Sequence, residues 1–401
     1  MMTSASRATL LALAGRIRTG TLLVSERNKM HRLGHGLPTV HVRVDDDRAW
    51  SMILRGGSRG LGEAYINGWW QTDDLVATLE IMLAAMAPTT SRLDRLTNRL
   101  SPLVDRVSSG PRSNEDVDRR NIRAHYDVSN EFFALMLDET MAYSCGIFDT
   151  ERTRLAEASV AKLERVCEEI DLQPNDHVVE IGSGWGSFAI HAARRYGCRV
   201  TTATISDAQY EYTAARVKEA GLEDLIDVRN CDYRELQGRF DKLVSIEMIE
   251  AISWRDYDTY FQKCAELLRP GGRMAIQAIV ARDESFHRMK RRGDFIKTFV
   301  FPDGCLPSVA AITEAAQATR TLEIVDIHDI GRHYVPTLRS WRQNLANASD
   351  EVAALGLDEP RFARLWDMYL AYCEAGFRQR YVSTVQITMR ESTRVLAYAS
   401  R

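Results

Sequence analysis

The chain reads as a doubly wound α/β protein with a smaller α+β domain at its N-terminus. Three observations predict this. In the second half, strand-like and helix-like runs alternate, as a parallel sheet with crossover helices requires. A Gly-rich turn, "EIGSGWG", sits between an apolar strand-like run and a helical one, where such sheets hold ligands. Before residue 100, short runs of both kinds lead into "LSPLVDRVSSGPRSNEDVDRR", which loses apolar periodicity and gains Ser, Pro, Gly and charge, a linker signature.

In the N-terminal part, "TVHVRV" and "RAWSMILRGG" read as strands, and "GLGEAYINGWW" and "DDLVATLEIMLAAMA" as helices. The expected organisation is an N-terminal domain over 1–100, a linker over 101–120 and a larger domain over 121–401. Within the larger domain "HVVEIGS" is a strand and "SFAIHAARRYG" a helix. "CRVTTATIS" is a strand and "DAQYEYTAARVKEAG" a helix. "IDVRNCD" and "FDKLVSIEMI" are strands, followed by helix "WRDYDTYFQKCAELLRPGG" and strand "RMAIQAIV". "LEIVDIHDIG" and "YVSTVQITMR" close the sheet.

At 401 residues, 45% hydrophobic and 27% charged, the chain has the composition of a globular protein with one large core or two domains. Its net charge of -3 gives no sign of a nucleic-acid partner. The seven cysteines show no C-x-x-C pair and no zinc spacing, so free thiols in a reducing cytosol and no metal are expected. No apolar run reaches the ~20 residues of a membrane span. "SRATLLALAGRIRTGTLLVS" is interrupted by Arg16 and Arg18 and lacks a cleavage pattern, against a signal peptide. Leu10, Leu13, Ala14 and Ile17 recur at helical spacing, for a helix packed on its own domain or lying at a lipid surface.

The turn Glu180–Gly186 spaces its glycines at 182, 184 and 186, letting the backbone turn tightly and approach a ligand. Ser187 breaks the dinucleotide fingerprint G-x-G-x-x-G. The E-x-G-x-G-x-G form instead resembles motif I of the class I S-adenosylmethionine methyltransferases, a Rossmann-like fold, with Glu180 orienting the cofactor indirectly. The second strand ends "TISDAQ", where an acid is usual. Thr204, Ser206 and Gln209 can supply the ribose hydrogen bonds instead, and Asp232 and Tyr233 of "CDYRE" are placed for the adenine.

The segment "HYDVSNEFFALMLDETMAYSCGIF", with "FIKTFVFPDGCLPS", "GRHYVPTLRSW" and "YLAYCEAGFRQRYV", resembles the cyclopropane fatty acid synthases and their mycolic acid-modifying relatives, in family order across 121–390. "LRGGSRGLGEAYINGWWQTDDL" is similar to the extra domain of the phospholipid-acting synthases. The resemblance implies a methyltransferase that acts on the cis double bond of an unsaturated phospholipid acyl chain, working at the inner face of the membrane. It also implies a homodimer. Tyr143 and Ser144 would bind S-adenosylmethionine. Cys145, Glu250, Gln277, Ile279 and Tyr334 would frame a bicarbonate ion. Phe132, Phe133 and Leu137 would be plain core or the wall of an acyl tunnel. Cys373 matches a cysteine proposed as catalytic in the family, although its helical run also suits buried structure. Glu247 fits a solvated or cofactor-adjacent acid and receives no role. The run Arg288, Lys290, Arg291, Arg292 is a solvated helix face or an attraction for anionic headgroups.

An alkene can attack a sulfonium methyl if the two are held in line at ~3–3.5 Å. The resulting cation needs a dry site and a base. Loss of a proton from the methyl would close a cyclopropane ring; the alternative product is a methylene- or methyl-branched chain. The better-known synthases carry His where this chain has Gln277. An amide can donate a hydrogen bond but cannot take up a proton. A small-molecule amine methyltransferase and a non-catalytic lipid-binding module are the competing readings. The lipid-type N-terminal domain opposes the first, and the intact Gly turn with Glu250 opposes the second.

Overall fold

The computed structural model describes residues 2–85, 129–291, 293–302 and 304–392. The expected linker, Arg292 and the start of the aromatic entry segment before Ser129 lie outside these residues. The chain forms two compact units, and neither is a single stretch. The first takes Met1–Ser109, His287–Pro302 and Leu338–Val382, and the second takes Gly110–Phe286, Asp303–Thr337 and Ser383–Arg401.

In the first unit, β1 (Gly20–Glu26), β2 (Lys29–His35), β3 (Thr39–Val44) and β4 (Trp70–Thr72) form a sheet in the order β2-β1-β3-β4. β3 follows the expected alternation, burying Val40 and Val42. "RAWSMILRGG" is not a strand. It folds as helix Arg48–Gly56, because Ala49, Trp50 and Ile53 recur at three to four residues rather than two, putting the buried Ala49 and Trp50 on one face. Ile17 is buried, whereas Leu13 is exposed.

Two C-terminal stretches belong to this unit, which amends the chain path expected for an uninterrupted domain over 121–401. Tyr65 Oη donates 2.7 Å to Asp367 of helix Pro360–Arg378, and the Phe295 ring packs tilted against Tyr372, centroids 5.7 Å apart. Gly62 admits the Phe295 ring, with which a Cβ would clash. Glu374 is buried and accepts from Arg378 at 2.6 Å and Arg342 at 3.5 Å. Pairing of this kind makes burial of the charge tolerable.

The second unit holds the predicted sheet: β5 (His177–Ile181), β6 (Arg199–Thr204), β7 (Ile226–Asn230), β8 (Phe240–Ile246), β9 (Leu268–Ala281), β10 (Leu322–Asp329) and β11 (Val382–Glu391). The order is β10-β11-β9-β8-β5-β6-β7; β5 to β9 pair in parallel and β10 runs antiparallel to β11. Alternation along each strand sorts side chains to two faces. Val179, Leu243 and Ile276 enter one apolar cluster, while their neighbours Val178, Val244 and Ala275 enter another. Strand order reverses between β5 and β8. The crevice beyond their C-terminal ends is the ligand position of a doubly wound sheet.

Candidate active site

The Gly turn leaves β5 at Ile181. Gly182, Gly184 and Gly186 have φ of 94°, 51° and 84°, a region that other residues enter only with strain. The N–H groups of Gly182 and Ser183 both bond Ala203 O on β6, at 2.9 and 3.0 Å, which fixes the turn against its neighbour. A Cβ at Gly184 would meet nothing within 4 Å, whereas at Gly182 it would meet Met248 at 2.9 Å. Gly184 therefore faces open space. Glu180 is buried one residue before the end of β5 and accepts from Thr202 Oγ1 at 2.6 Å; burial pushes its pKa up to about 8.

The residues after β6 bond one another. Thr204 Oγ1 donates 2.9 Å to Gln209, and Ser206 Oγ caps helix Asp207–Glu219 by accepting from Gln209 N at 3.3 Å. After β7, both oxygens of Asp232 accept from Arg234, at 2.7 and 2.8 Å. The Tyr233 ring lies edge-on to Tyr260 within the apolar core. Thr204, Ser206, Gln209 and Asp232 thus stand at the expected strand ends, and they bond one another or Arg234.

The entry segment packs on the Gly turn. Phe133 lies 4.8 Å from the Trp185 ring and 5.4 Å from Tyr143, and Trp185 donates to Asn130 at 2.8 Å. Arg216 ties the two together, donating to Trp185 O at 2.7 Å, Thr140 O at 3.0 Å and Glu139 O at 3.1 Å. Phe132, Phe133, Met136 and Leu137 are buried. Ser144 accepts 2.7 Å from the ammonium of Lys162, a fully buried lysine on helix Leu155–Glu169. Burial lowers the Lys162 pKa, opposed by Glu247 and Cys145.

The centre of the site is Glu247, just beyond β8, which has φ of 50°. Its Oε1 accepts from Cys145 N at 3.0 Å and Gln277 Nε2 at 2.7 Å, and its Oε2 from Tyr334 Oη at 2.6 Å. Burial pushes its pKa up, against these donors and Lys162, which favour the ionised form. Gln277, on β9, also donates to Cys145 O at 3.3 Å and accepts from Gln386 of β11 at 2.9 Å. Glu250 lies apart from these bonds. Its Oε1 accepts from Ile279 N, and its buried Oε2 has no partner among the described residues. Burial, then the Glu247 charge, pushes it up to about 8.

Cys145, Gln277 and Tyr334 therefore converge on one carboxylate, and Glu250 and Ile279 meet each other. Cys145 contributes its backbone; its thiol is fully buried and is held well above its usual pKa by burial. Cys373 belongs to the other compact unit, and burial pushes its thiol up to about 12. No sequence motif gives a role to Glu247, Lys162, Arg216 or Gln386. Lys162 carried a signal, since it lies four residues from both Ala158 and Val166 on the buried stripe of its helix.

The profile of the mycolic acid cyclopropane synthetase family matches residues 113–387. The chain belongs to that family. It is 38% identical over 344 residues to a Mycobacterium tuberculosis protein named tuberculostearic acid methyltransferase, covering 84% of this chain and 80% of that one. To the cyclopropane-fatty-acyl-phospholipid synthase of Escherichia coli K12 it is 31% identical over 356 residues, 88% of each chain. Among solved structures, a cyclopropane synthase from Mycobacterium tuberculosis matches with a TM-score of 0.63 at 26% identity, over 68% of this chain and 98% of that one. A mycolic acid cyclopropane synthase complexed with S-adenosylhomocysteine and CTAB gives 0.61 at 28% identity.

As a member of the family the chain is an S-adenosylmethionine-dependent methyltransferase. The residues present fit that cofactor: the space that a Cβ at Gly184 would enter is open, and the turn leads directly from the sheet's switch point.

Proposed function

We propose that the protein transfers the methyl carbon of S-adenosylmethionine to the cis double bond of an unsaturated fatty acyl chain of a phospholipid and closes a cyclopropane ring. The observation that carries this is the Glu247 carboxylate, held by Cys145, Gln277 and Tyr334, with the buried Phe132, Phe133 and Met136 in the same entry segment as Cys145. A hydrocarbon cation needs a base but few other polar groups, and an apolar surround keeps water from trapping it. The bound cofactor would supply an electrophilic methyl group.

The loop glycines 182, 184 and 186 would admit the cofactor, with Tyr143, Ser144, Thr204, Ser206, Gln209, Asp232 and Tyr233 around it. Glu180 would act through Thr202. Lys162 would hold Ser144, and Arg216 would hold the entry segment against the turn. Cys145, Glu250, Gln277, Ile279 and Tyr334 would form the anion pocket beside the reacting carbon, where negative charge lowers the barrier to a cation. A methylene- or methyl-branched product is the second reading. It is favoured by the 38% identical relative, named as a tuberculostearic acid methyltransferase rather than as a cyclopropane synthase.

Access from the inner membrane surface is part of the proposal, with the first unit and the run Arg288, Lys290, Arg291 attracting headgroups. Purified protein with vesicles of a monounsaturated phospholipid should methylate the acyl chain. Saturated vesicles should give no product. Salt should weaken vesicle binding, because exposed charge is screened over ~10 Å at 0.1 M. Product formed on free fatty acid but on no phospholipid would move the substrate away from the membrane.

A further inference from the structure

We propose that Glu247 is this chain's built-in base: its carboxylate occupies the pocket that the family resemblance assigns to bicarbonate, so the reaction needs no added bicarbonate ion. The inference rests on the methyl-transfer reading and says which group removes the proton.

Three donors from three parts of the chain converge on this carboxylate: the Cys145 N–H at 3.0 Å, the Gln277 amide at 2.7 Å and the Tyr334 hydroxyl at 2.6 Å. A carboxylate and a bicarbonate present the same planar, charged O–C–O unit, so donors arranged for one suit the other. With all three spent on Glu247, a second anion there would find none of them and would meet like charge. Gln277 can turn neither donor elsewhere without loss, because its Oε1 accepts from Gln386 at 2.9 Å.

The backbone tells the same story. Glu247 is a non-glycine residue at φ of 50°, a conformation that costs energy and is concentrated at functional sites. Its N–H continues the ladder to Gln277 O at 2.7 Å, and the left-handed turn follows at once. Ordinary sheet continuation would not need it.

The carboxylate also retains room to act. Oε1 has two donors, whereas Oε2 has Tyr334 alone among the described residues, leaving one acceptor position. Glu247 is only partly buried, unlike its donors Cys145, Gln277 and Tyr334. Burial raises its proton affinity, which makes it a stronger base than an exposed carboxylate. Glu250 is less suited to carry the charge: Ile279 N–H donates to its Oε1 and its buried Oε2 has no partner among the described residues, whereas three donors stabilise ionised Glu247.

The alkene electron pair forms the new bond to the methyl carbon, the carbon–sulfur pair leaves with the sulfur, and the cation lies on the neighbouring chain carbon. Glu247 Oε2 takes a proton from the transferred methyl, and that C–H pair closes the ring. The resulting carboxylic acid releases its proton to solvent as product leaves.

Glu247→Gly is the decisive variant, because glycine accepts φ of 50° without strain and empties the pocket. Sodium bicarbonate titrated into the cofactor-free protein in a calorimeter, against a chloride control, should show binding to E247G and none to wild type. In buffer stripped of carbon dioxide, wild-type turnover should change by less than about twofold, while E247G should fall by at least ~10², the scale of general-base catalysis, and recover with bicarbonate. Glu247→Gln, whose amide still fills the pocket, should lose turnover and not recover. Wild-type turnover that depends on bicarbonate would overturn the proposal. So would E247G or E247Q turning over at the wild-type rate without bicarbonate, or E247G that keeps its circular dichroism yet neither binds bicarbonate nor is rescued by it. If E247G fails to fold, E247Q and the wild-type titration decide alone. If wild type methylates no unsaturated lipid at all, the methyl-transfer reading fails, and the calorimetry still reports what the pocket holds.

Discussion

Tyr334 Oη donates 2.6 Å to Glu247 Oε2, joining the first residue of helix Tyr334–Asn347 to the end of β8. The bond orients the carboxylate and lowers the cost of its charge in a partly buried setting. It also means that Glu247 and Tyr334 act as one unit, so removing either should disturb the same step.

Replacing Gly184 by Val should abolish S-adenosylmethionine binding while the fold survives. The side chain would enter open space rather than a neighbour. Its φ of 51° strains a β-branched residue by ~1–2 kcal/mol, so a modest fall in Tm is expected. Calorimetry checks binding; unchanged affinity would remove the turn from the cofactor site.

The Cys145 thiol is separable from the Cys145 backbone. Cys145→Ala keeps the N–H that Glu247 accepts and the C=O that Gln277 bonds. Turnover should fall by no more than about threefold, under ~1 kcal/mol of barrier. Gln386→Ala should cost more in turnover, because it leaves Gln277 Oε1 buried without its donor, at ~1–3 kcal/mol. Cofactor affinity should not change in either variant. A larger loss in C145A than in Q386A would return the chemistry to the sulfur.

Lys162→Met removes a buried positive charge that favours ionised Glu247. The carboxylate then becomes harder to ionise, so its pKa rises further. The acid limb of the pH–rate profile should move to higher pH. A limb that stays in place would exclude Glu247 as the group whose ionisation it reports.

Glu250 sets a pH dependence of stability. Its pKa is about 8 in the folded protein against an ordinary 4.5. Between those values the folded state binds more protons than the unfolded one, so this group makes stability fall as pH rises. Below 4.5 both states are protonated and the cost vanishes. Glu250→Gln should flatten that part of the curve in denaturant titrations across the window; an unchanged slope would mean that the carboxyl is not perturbed.

The sheet was readable because its central strands are short runs buried on both faces, as Val178 and Val179 show by entering two different clusters, and because helical runs separate them. "RAWSMILRGG" was misread because a short apolar run between Gly signals fits either period. The grouping of Pro360–Arg378 with the N-terminal unit rests on contacts such as Tyr65 to Asp367, which no local pattern reveals. In the site, the Gly turn was plain from spacing alone. Glu247 could be seen as an acid after a strand, but its left-handed backbone and its three donors, one of them 102 residues away, are tertiary facts. Gln386 and Arg216 were hidden for the same reason, as ordinary polar residues on a strand and a helix.

The central claim is methyl transfer to an acyl double bond with loss of a proton from that methyl. The most direct test supplies S-adenosylmethionine bearing a CD3 methyl to the enzyme with monounsaturated phospholipid vesicles and measures the lipid product by mass spectrometry. The account predicts an acyl chain that has gained a CD2 unit, two deuterium atoms kept and one lost, with the label on chain carbon. A product that keeps all three deuterium atoms, or a lipid that gains no label, would contradict it.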